Sequence, residues 1–366
     1  MWEKKRLMVI FGTRPEAVKL CPLIRELKER GFSCFVCVTG QHRELLDGVL
    51  RLFDVVPDED LNMMKEGQDL FDVTCGVLAG LRPILVRESP ELVLVHGDTA
   101  TSFAAALACF YCGIPVAHVE AGLRTYDLSA PYPEEWNRRA VGLLAAHHFA
   151  PTERAAENLR REGVPSDRIA VTGNTGIDAL RVTVRKEYSH PELEWAKDSR
   201  LILLTAHRRE SRGSAMRSMF RGIRRILAEF PDVKLLYPVH PGPAVRQIAW
   251  EELGDCDRLR LIEPLGVLDF HNFLARCHLV LTDSGGLQEE APALGKPVLV
   301  MRNTTERPEG LEAGCMRLVG TGEGSVYRGV RELLENEALY AVMSRAPNPY
   351  GDGFACRRIA EYLERL

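Results

Sequence analysis

The sequence predicts an α/β protein of two doubly wound, parallel-sheet domains facing a cleft. Three observations lead there. Short apolar runs alternate with stretches of helical spacing through both halves of the 366-residue chain. The runs are β-branched and almost continuously apolar, as expected of central strands covered on both faces. The alternation breaks at a polar stretch near residues 185–200 and then begins again, which predicts two domains of similar size rather than one long sheet.

In chain order, Leu7–Phe11 reads as a strand, Glu16–Arg30 as a helix, Ser33–Thr39 as a second strand, and Glu44–Phe53 as a helix. Leu92–His96 is an unbroken apolar strand. It precedes Thr101–Tyr111, whose alanines suit a helix packed closely on a sheet. Strands at Pro115–Val119 and His147–Ala150 follow, and such alternation requires right-handed crossovers and a parallel sheet. Residues 1–184 are therefore assigned to a first domain and the polar segment 185–200 to a linker. Strands at Leu201–Thr205, Val233–Val239, Leu259–Ile262, His278–Thr282 and Pro297–Met301 place a second domain over 201–350. Residues 351–366 follow a Pro/Gly-rich turn with helical spacing and are predicted to pack back on the first domain.

A net charge of -4, with 46% hydrophobic and 27% charged residues, gives no electrostatic footprint for nucleic acid. The basic cluster Arg221–Arg225 reads as a solvated helix face. No window approaches the roughly 18 apolar residues of a membrane span, and the first residues lead straight into a strand, so a cytoplasmic location is expected. Ten cysteines lie mostly in apolar segments and read as free thiols. The pairs Cys34/Cys37 and Cys109/Cys112 have zinc-knuckle spacing but the wrong context. Cys34 and Cys37 lie in a strand-like run, where residues three apart face opposite ways, so a metal is not expected.

The chemistry concentrates where strands end. Leu92–His96 runs on to Asp98, and Pro115–Val119 to Glu120, so two acids sit at the carboxyl ends of central strands, where open α/β sheets bind ligands. Glu134 and Glu135 follow soon after. Gly12–Glu16 comes directly after the first strand and opens a helix. A glycine there admits a ligand to the backbone, the helix N-terminus attracts an anion, and Arg14 adds a partner for phosphate. The full Gly-x-Gly-x-x-Gly fingerprint is missing, which argues against a dinucleotide. Thr282–Glu290 repeats the strand–glycine–helix arrangement with Ser284, Gly285 and Gly286, the pattern of a diphosphate seat, with Glu290 one turn in to meet ribose hydroxyls. His207 closes the first strand of the second domain beside Arg208 and Arg209, where it can touch phosphate or move a proton.

Taken together, these residues resemble the bacterial non-hydrolysing UDP-N-acetylglucosamine 2-epimerase family. The matching blocks are Phe11–Lys19, Gln41–Glu44, His96–Thr99, His118–Thr125, Pro133–Arg138, Thr172–Thr175, His207–Glu210, Asp283–Glu290 and Thr304–Gly310, in family order. The resemblance implies two Rossmann-like domains of the GT-B glycosyltransferase type with a UDP-sugar between them. It also implies reversible C2 epimerisation to UDP-N-acetylmannosamine, by anti elimination of UDP to 2-acetamidoglucal and readdition, without metal or redox cofactor. Carried over by position, Asp98, Glu120 and Glu134 are the acid/base carboxylates, their individual roles left open. Arg14 and His207 neutralise diphosphate, and Lys19 stands beside the sugar or the acids. Ser284, Gly285, Gly286 and Glu290 hold diphosphate and ribose, and Phe270 meets uracil.

The resemblance also implies a regulatory UDP-N-acetylglucosamine site matching Gln41, Glu44, Glu135, Arg208 and His240, and a homodimer. Glu44 stands where some members carry glutamine and Gly67 where some carry arginine, while Trp136 is larger than usual. Three alternatives share this reading of the residues: a GT-B glycosyltransferase, an epimerase of a UDP-2,3-diacetamido uronate, and a nucleotide-sugar-binding protein without catalysis.

Overall fold

The computed structural model describes residues 5–40, 43–63, 67–208 and 211–366, with the side chains of residues 43–45 outside the description. The chain divides into two compact units, 1–182 together with 350–366, and 183–349.

The first unit is built on a parallel sheet of β1 (Arg6–Phe11), β2 (Ser33–Val38), β3 (Glu59–Asp60), β4 (Leu92–His96), β5 (Val116–Val119), β6 (His147–Ala150) and β7 (Ile169–Val171). The order is β3-β2-β1-β4-β5-β6-β7. Leu7–Phe11 and all of β4 and β5 are buried residue after residue. Successive side chains in a strand point to opposite faces, so both faces of the sheet centre are covered. The strand order reverses between β1 and β4, and the loops leaving these strands diverge at the position where open α/β sheets take ligands.

The second unit repeats the plan with β8 (Arg200–Thr205), β9 (Val233–Pro238), β10 (Leu259–Ile262), β11 (Leu279–Thr282), β12 (Val298–Val300) and β13 (Met316–Leu318), in the order β10-β9-β8-β11-β12-β13. Its reversal lies between β8 and β11. Thr205 pairs with Thr282, and their hydroxyls meet at 2.6 Å. The segments after these two threonines therefore emerge side by side.

Two sequence expectations differ from the structure in detail. The first helix runs Arg14–Glu29 rather than from Glu16, because Thr13 caps it and Pro15 occupies its first turn, where a missing N–H costs nothing. The segment 185–200, which reads as a linker, belongs to the second unit. Tyr188, Leu193 and Trp195 pack on that unit's core, and Ala196 is part of it. His190 caps the short helix Pro191–Trp195, and Arg260 and Lys234 lie over the Trp195 ring. Its few apolar residues follow no strand or helix period, so the sequence shows only its polar face. Residues 350–366 are tied to the first unit by Asp178, which accepts from Ala355 N and Cys356 N at 3.1 and 2.8 Å.

Candidate functional site

The turn after β1 is organised by a buried acid. Glu16 is 1% exposed, and its Oε2 accepts from the N–H groups of Gly12 (3.1 Å) and Thr13 (2.8 Å) and the Thr13 hydroxyl (2.7 Å). Its Oε1 accepts from the hydroxyls of Thr99 and Ser102, which come after β4. Burial raises the Glu16 pKa against the lowering effect of these donors. The N–H groups that Glu16 takes are those of Gly12 and of the cap residue Thr13, which precede the helix. Gly12 is required by packing, since a Cβ there would lie 2.1 Å from Thr39 Oγ1. The spacing Thr13–Glu16 is that of a capping box, a signal in the sequence that could have identified the clamp.

The three predicted carboxylates come from the ends of β4 and β5 and the start of the helix Glu134–Leu144. Glu120 adopts a left-handed backbone, φ 62°, unusual for a residue with a Cβ and a feature that gathers at functional sites. Its carboxylate pairs with Lys19, and its Oε2 accepts from Asn174 Nδ2 at 2.6 Å. His96 Nε2 lies 3.7 Å from the same oxygen and is buried without a hydrogen-bond partner. Burial pushes the His96 pKa down to about 4, so this ring is neutral at pH 7 and adds no charge beside the acid.

Asp98 pairs with Arg138, while Asn137 Nδ2 donates to the Asp98 carbonyl at 2.9 Å. Burial raises the Asp98 pKa, Arg138 opposes it, and the charge of Glu120 adds to the rise. Glu134 lies on the same helical face as Asn137 and Arg138, three and four residues on. Its Oε2 is buried with no hydrogen-bond partner among the described residues. Asn174 and Arg138 were both missed as site residues, although each lies in a block that carried the resemblance.

In the second unit, Asp283 is fully buried just past β11. Its Oδ2 accepts from His207 N (2.7 Å) and Arg208 N (2.9 Å), and its Oδ1 lies 3.1 Å from His207 Nδ1. The His207 ring stacks on His240, centroids 5.7 Å apart and planes 9° from parallel. Burial and the neighbouring His207 and Arg212 lower the His240 pKa. Arg208 Nε donates to the Asp283 carbonyl and its Nη2 to Glu306, whose carboxyl sits at about 2 because Arg307, Arg302 and Arg208 outweigh its burial.

Two glycines of the predicted seat have different tasks. A Cβ on Gly285 would meet Arg307 Nη1 at 2.6 Å, and Arg307 is itself held by Glu289 (2.5 Å) and Glu306 (2.7 Å). A Cβ on Gly286 would make ordinary contact with Glu290 Oε1 at 3.7 Å. The Ser284 N–H donates to Thr282 Oγ1, so the seat's first amide is occupied. Glu290 Oε2 lies 3.7 Å from His271 Nε2, and the adjacent Phe270 packs half-buried on the unit's core.

Among the residues matched to a regulatory site, Gln41 and the Glu44 side chain lie outside the described residues. Glu135 is fully buried, and its carboxylate accepts from Thr125 N and Tyr126 N at 3.0 Å each. It is committed to holding that loop. No group of three or more metal-ligating side chains occurs among the described residues, and no described helix is long and apolar enough to cross a membrane.

Two doubly wound sheets, each with polar and charged groups at its switch point, define a Rossmann-like α/β enzyme of the GT-B type. A solved glycotransferase of kitacinnamycin shares the fold with a TM-score of 0.68 over 99% of both chains, at 14% identity. The sequence comparisons are more specific. A family model described as UDP-N-acetylglucosamine 2-epimerase matches residues 25–364, and the chain belongs to that family. The UDP-N-acetylglucosamine 2-epimerase of Bacillus subtilis is 55% identical over 99% of this chain and 95% of its own. The Neisseria meningitidis enzyme, solved bound to UDP-GlcNAc, superposes with a TM-score of 0.92 at 44% identity, covering 99% of this chain and all of the other.

Proposed function

We propose that this enzyme inverts C2 of UDP-N-acetylglucosamine reversibly, giving UDP-N-acetylmannosamine as a precursor of cell-surface polysaccharide, by eliminating UDP and adding it back. A carboxylate removes the C2 proton as the C1–O bond breaks. The C–H electron pair becomes the C1=C2 bond of 2-acetamidoglucal, and UDP leaves with the C1–O pair. In the return step C1–O reforms and C2 takes a proton on its other face. Asp98, Glu120 and Glu134 share the two transfers, with Lys19 holding Glu120. The observation that carries this assignment is the grouping of these acids at the ends of β4 and β5 and on the adjoining helix, in unequal surroundings. Asp98 is biased towards its protonated form by burial and by Glu120, while Glu120 is paired with Lys19.

Arg14 and His207 neutralise the diphosphate, Ser284, Gly285, Gly286 and Glu290 hold diphosphate and ribose, and Phe270 meets uracil. An effector site built from Gln41, Glu44, Glu135, Arg208 and His240 belongs to the same reading. Glu135 would act there through the Thr125–Tyr126 backbone that it holds. So do a homodimer and a cytoplasmic setting, which ten free cysteines suit.

The test is incubation with UDP-N-acetylglucosamine in heavy water, followed by proton NMR. Deuterium at C2 of both UDP-sugars is expected. A transferase would leave C2 untouched and require an acceptor, and lasting accumulation of free N-acetylmannosamine would sink the non-hydrolysing reading. Asp98→Asn, Glu120→Gln and Glu134→Gln should each slow exchange at least about a hundredfold.

A further inference from the structure

We propose that Asp283 is the positioning residue of His207, fixing its imidazole with the proton on Nδ1 so that Nε2 is the nitrogen offered to the departing diphosphate; the diphosphate role of His207 rests on the function proposed above. Register places Asp283 beside the turn that carries the histidine, because Thr282 pairs with Thr205 and Asp283 N donates to Thr205 O at 3.2 Å. One fully buried carboxylate then meets His207 at two points: its Oδ2 accepts the backbone N–H, and its Oδ1, buried with no hydrogen-bond partner among the described residues, lies 3.1 Å from the ring Nδ1.

A clamp for the turn alone needs only Oδ2, which already takes the N–H groups of His207 and Arg208. The second oxygen is turned to Nδ1. An ionised carboxylate only accepts, so a small turn of the ring with the hydrogen on Nδ1 supplies the buried Oδ1 with the donor it lacks. Asp283 is ionised: burial pushes its pKa up, but the ring and the two backbone donors hold it below the usual carboxylate range. The His207 ring is 39% exposed, and its Nε2 makes no hydrogen bond or ion pair with a described residue.

The charged and titratable groups facing the ring set the surroundings of that nitrogen. His240 stacks on one face and is itself near Arg212, and Arg208 is tied back to the Asp283 carbonyl and Glu306. Once Asp283 accepts from Nδ1, the ring is oriented with Nε2 turned to the diphosphate as that group takes on charge.

The first experiment uses the unaltered enzyme labelled with 15N-histidine. Long-range proton–nitrogen correlation is recorded from pH 6 to 9, and the His207 signals are assigned by their loss in His207→Asn. The expected result is the Nδ1–H tautomer or the doubly protonated ring throughout; a neutral Nε2–H tautomer overturns the proposal.

The second experiment is a double-mutant cycle on C2 exchange. Asp283→Asn should lower kcat about tenfold to a hundredfold with a smaller change in KM, and Asp283→Asn/His207→Asn should be no slower than His207→Asn alone. Multiplying losses in the double variant would show that Asp283 acts independently of the ring. If Asp283→Asn does not fold, the tautomer of the unaltered enzyme decides the matter. Absence of C2 exchange in the wild type would instead remove the function assigned to His207 while leaving the tautomer result standing.

Discussion

Asn174→Asp exchanges a donor to Glu120 for a second acid at the same place. Asn174 Oδ1 is occupied by the Gly176 N–H at 2.8 Å, which directs the amide nitrogen at Glu120 Oε2, 2.6 Å away. Aspartate keeps the first bond and turns the second into a contact between two carboxylates. Two unit charges about 3 Å apart repel by roughly 5 to 6 kcal/mol in an effective dielectric of about 20, equivalent to about four pK units. Lys19 already neutralises one charge, so the pair takes up a proton near neutral pH and shares it between the two oxygens. Glu120 held in that bridge cannot exchange protons with C2. Deuterium exchange at C2, measured by NMR at saturating and limiting UDP-sugar, should fall at least about a hundredfold at pH 7.5 and recover in part towards pH 9.5. Asn174→Ala removes the donor without adding charge. It should cost about tenfold in rate and about 1 kcal/mol in stability, because the cap on Gly176 is lost as well. An aspartate variant within threefold of wild type and with an unchanged pH profile would refute the argument.

Two further outcomes concern the fold beneath the site. Burial holds His118 at a pKa of about 3 and His148 at about 4, so the unfolded chain takes up these protons near pH 6.5 and the folded protein does not. Their contribution is present in full above pH 6.5 and falls as the pH drops towards 4, by up to about 1.4 kcal/mol per pH unit for each ring. Urea midpoints at pH 7.5 and 5 should therefore diverge less in His118→Gln than in wild type, and equal divergence would show that His118 is not buried neutral. Gly285→Ala drives a Cβ into a guanidinium fixed by two glutamates and should cost about 1 to 3 kcal/mol in a thermal melt. Gly286→Ala should leave the melt unchanged and raise KM for the UDP-sugar; a native KM would remove that amide from the diphosphate seat.

The strands that build the sheet centres were legible because their burial is written as unbroken apolar runs, as at Leu92–His96. The edges were not. β3, β7 and β13 are two or three residues long, too short to show a period. The acids of the site were legible because a charge ending an apolar run has one natural location, the carboxyl end of a strand. Two of their partners were hidden by distance along the chain: Arg138 reaches Asp98 from 40 residues away and Asn174 reaches Glu120 from 54. Lys19, 101 residues from the same acid, was placed near it by the family resemblance alone. Only the tertiary structure chooses among the many arginines and asparagines that could have filled these places.

What most separates the three acids proposed to react from the rest is how their lone pairs are used. Glu16, Glu135, Asp178 and Asp283 are all buried carboxylates, and each accepts two backbone N–H groups, so their charge is committed to shaping turns and helix starts. Asp98 is instead met by the side chain of Arg138 and Glu120 by those of Lys19 and Asn174, while Glu134 keeps a buried oxygen with no hydrogen-bond partner among the described residues. A side chain can release or follow a carboxylate as its charge changes; a backbone amide in a sheet loop cannot. Glu134 and Glu135 make the contrast within one dipeptide: the helix turns one acid onto the Thr125–Tyr126 loop, where Arg138 Nη1 also donates to it at 3.4 Å, and leaves the other with a buried oxygen that has no hydrogen-bond partner among the described residues. Neighbouring residues of identical type thus divide into a clamp and a proposed reagent by about 100° of helix rotation, which is why composition and spacing find the acids and only their partners separate them.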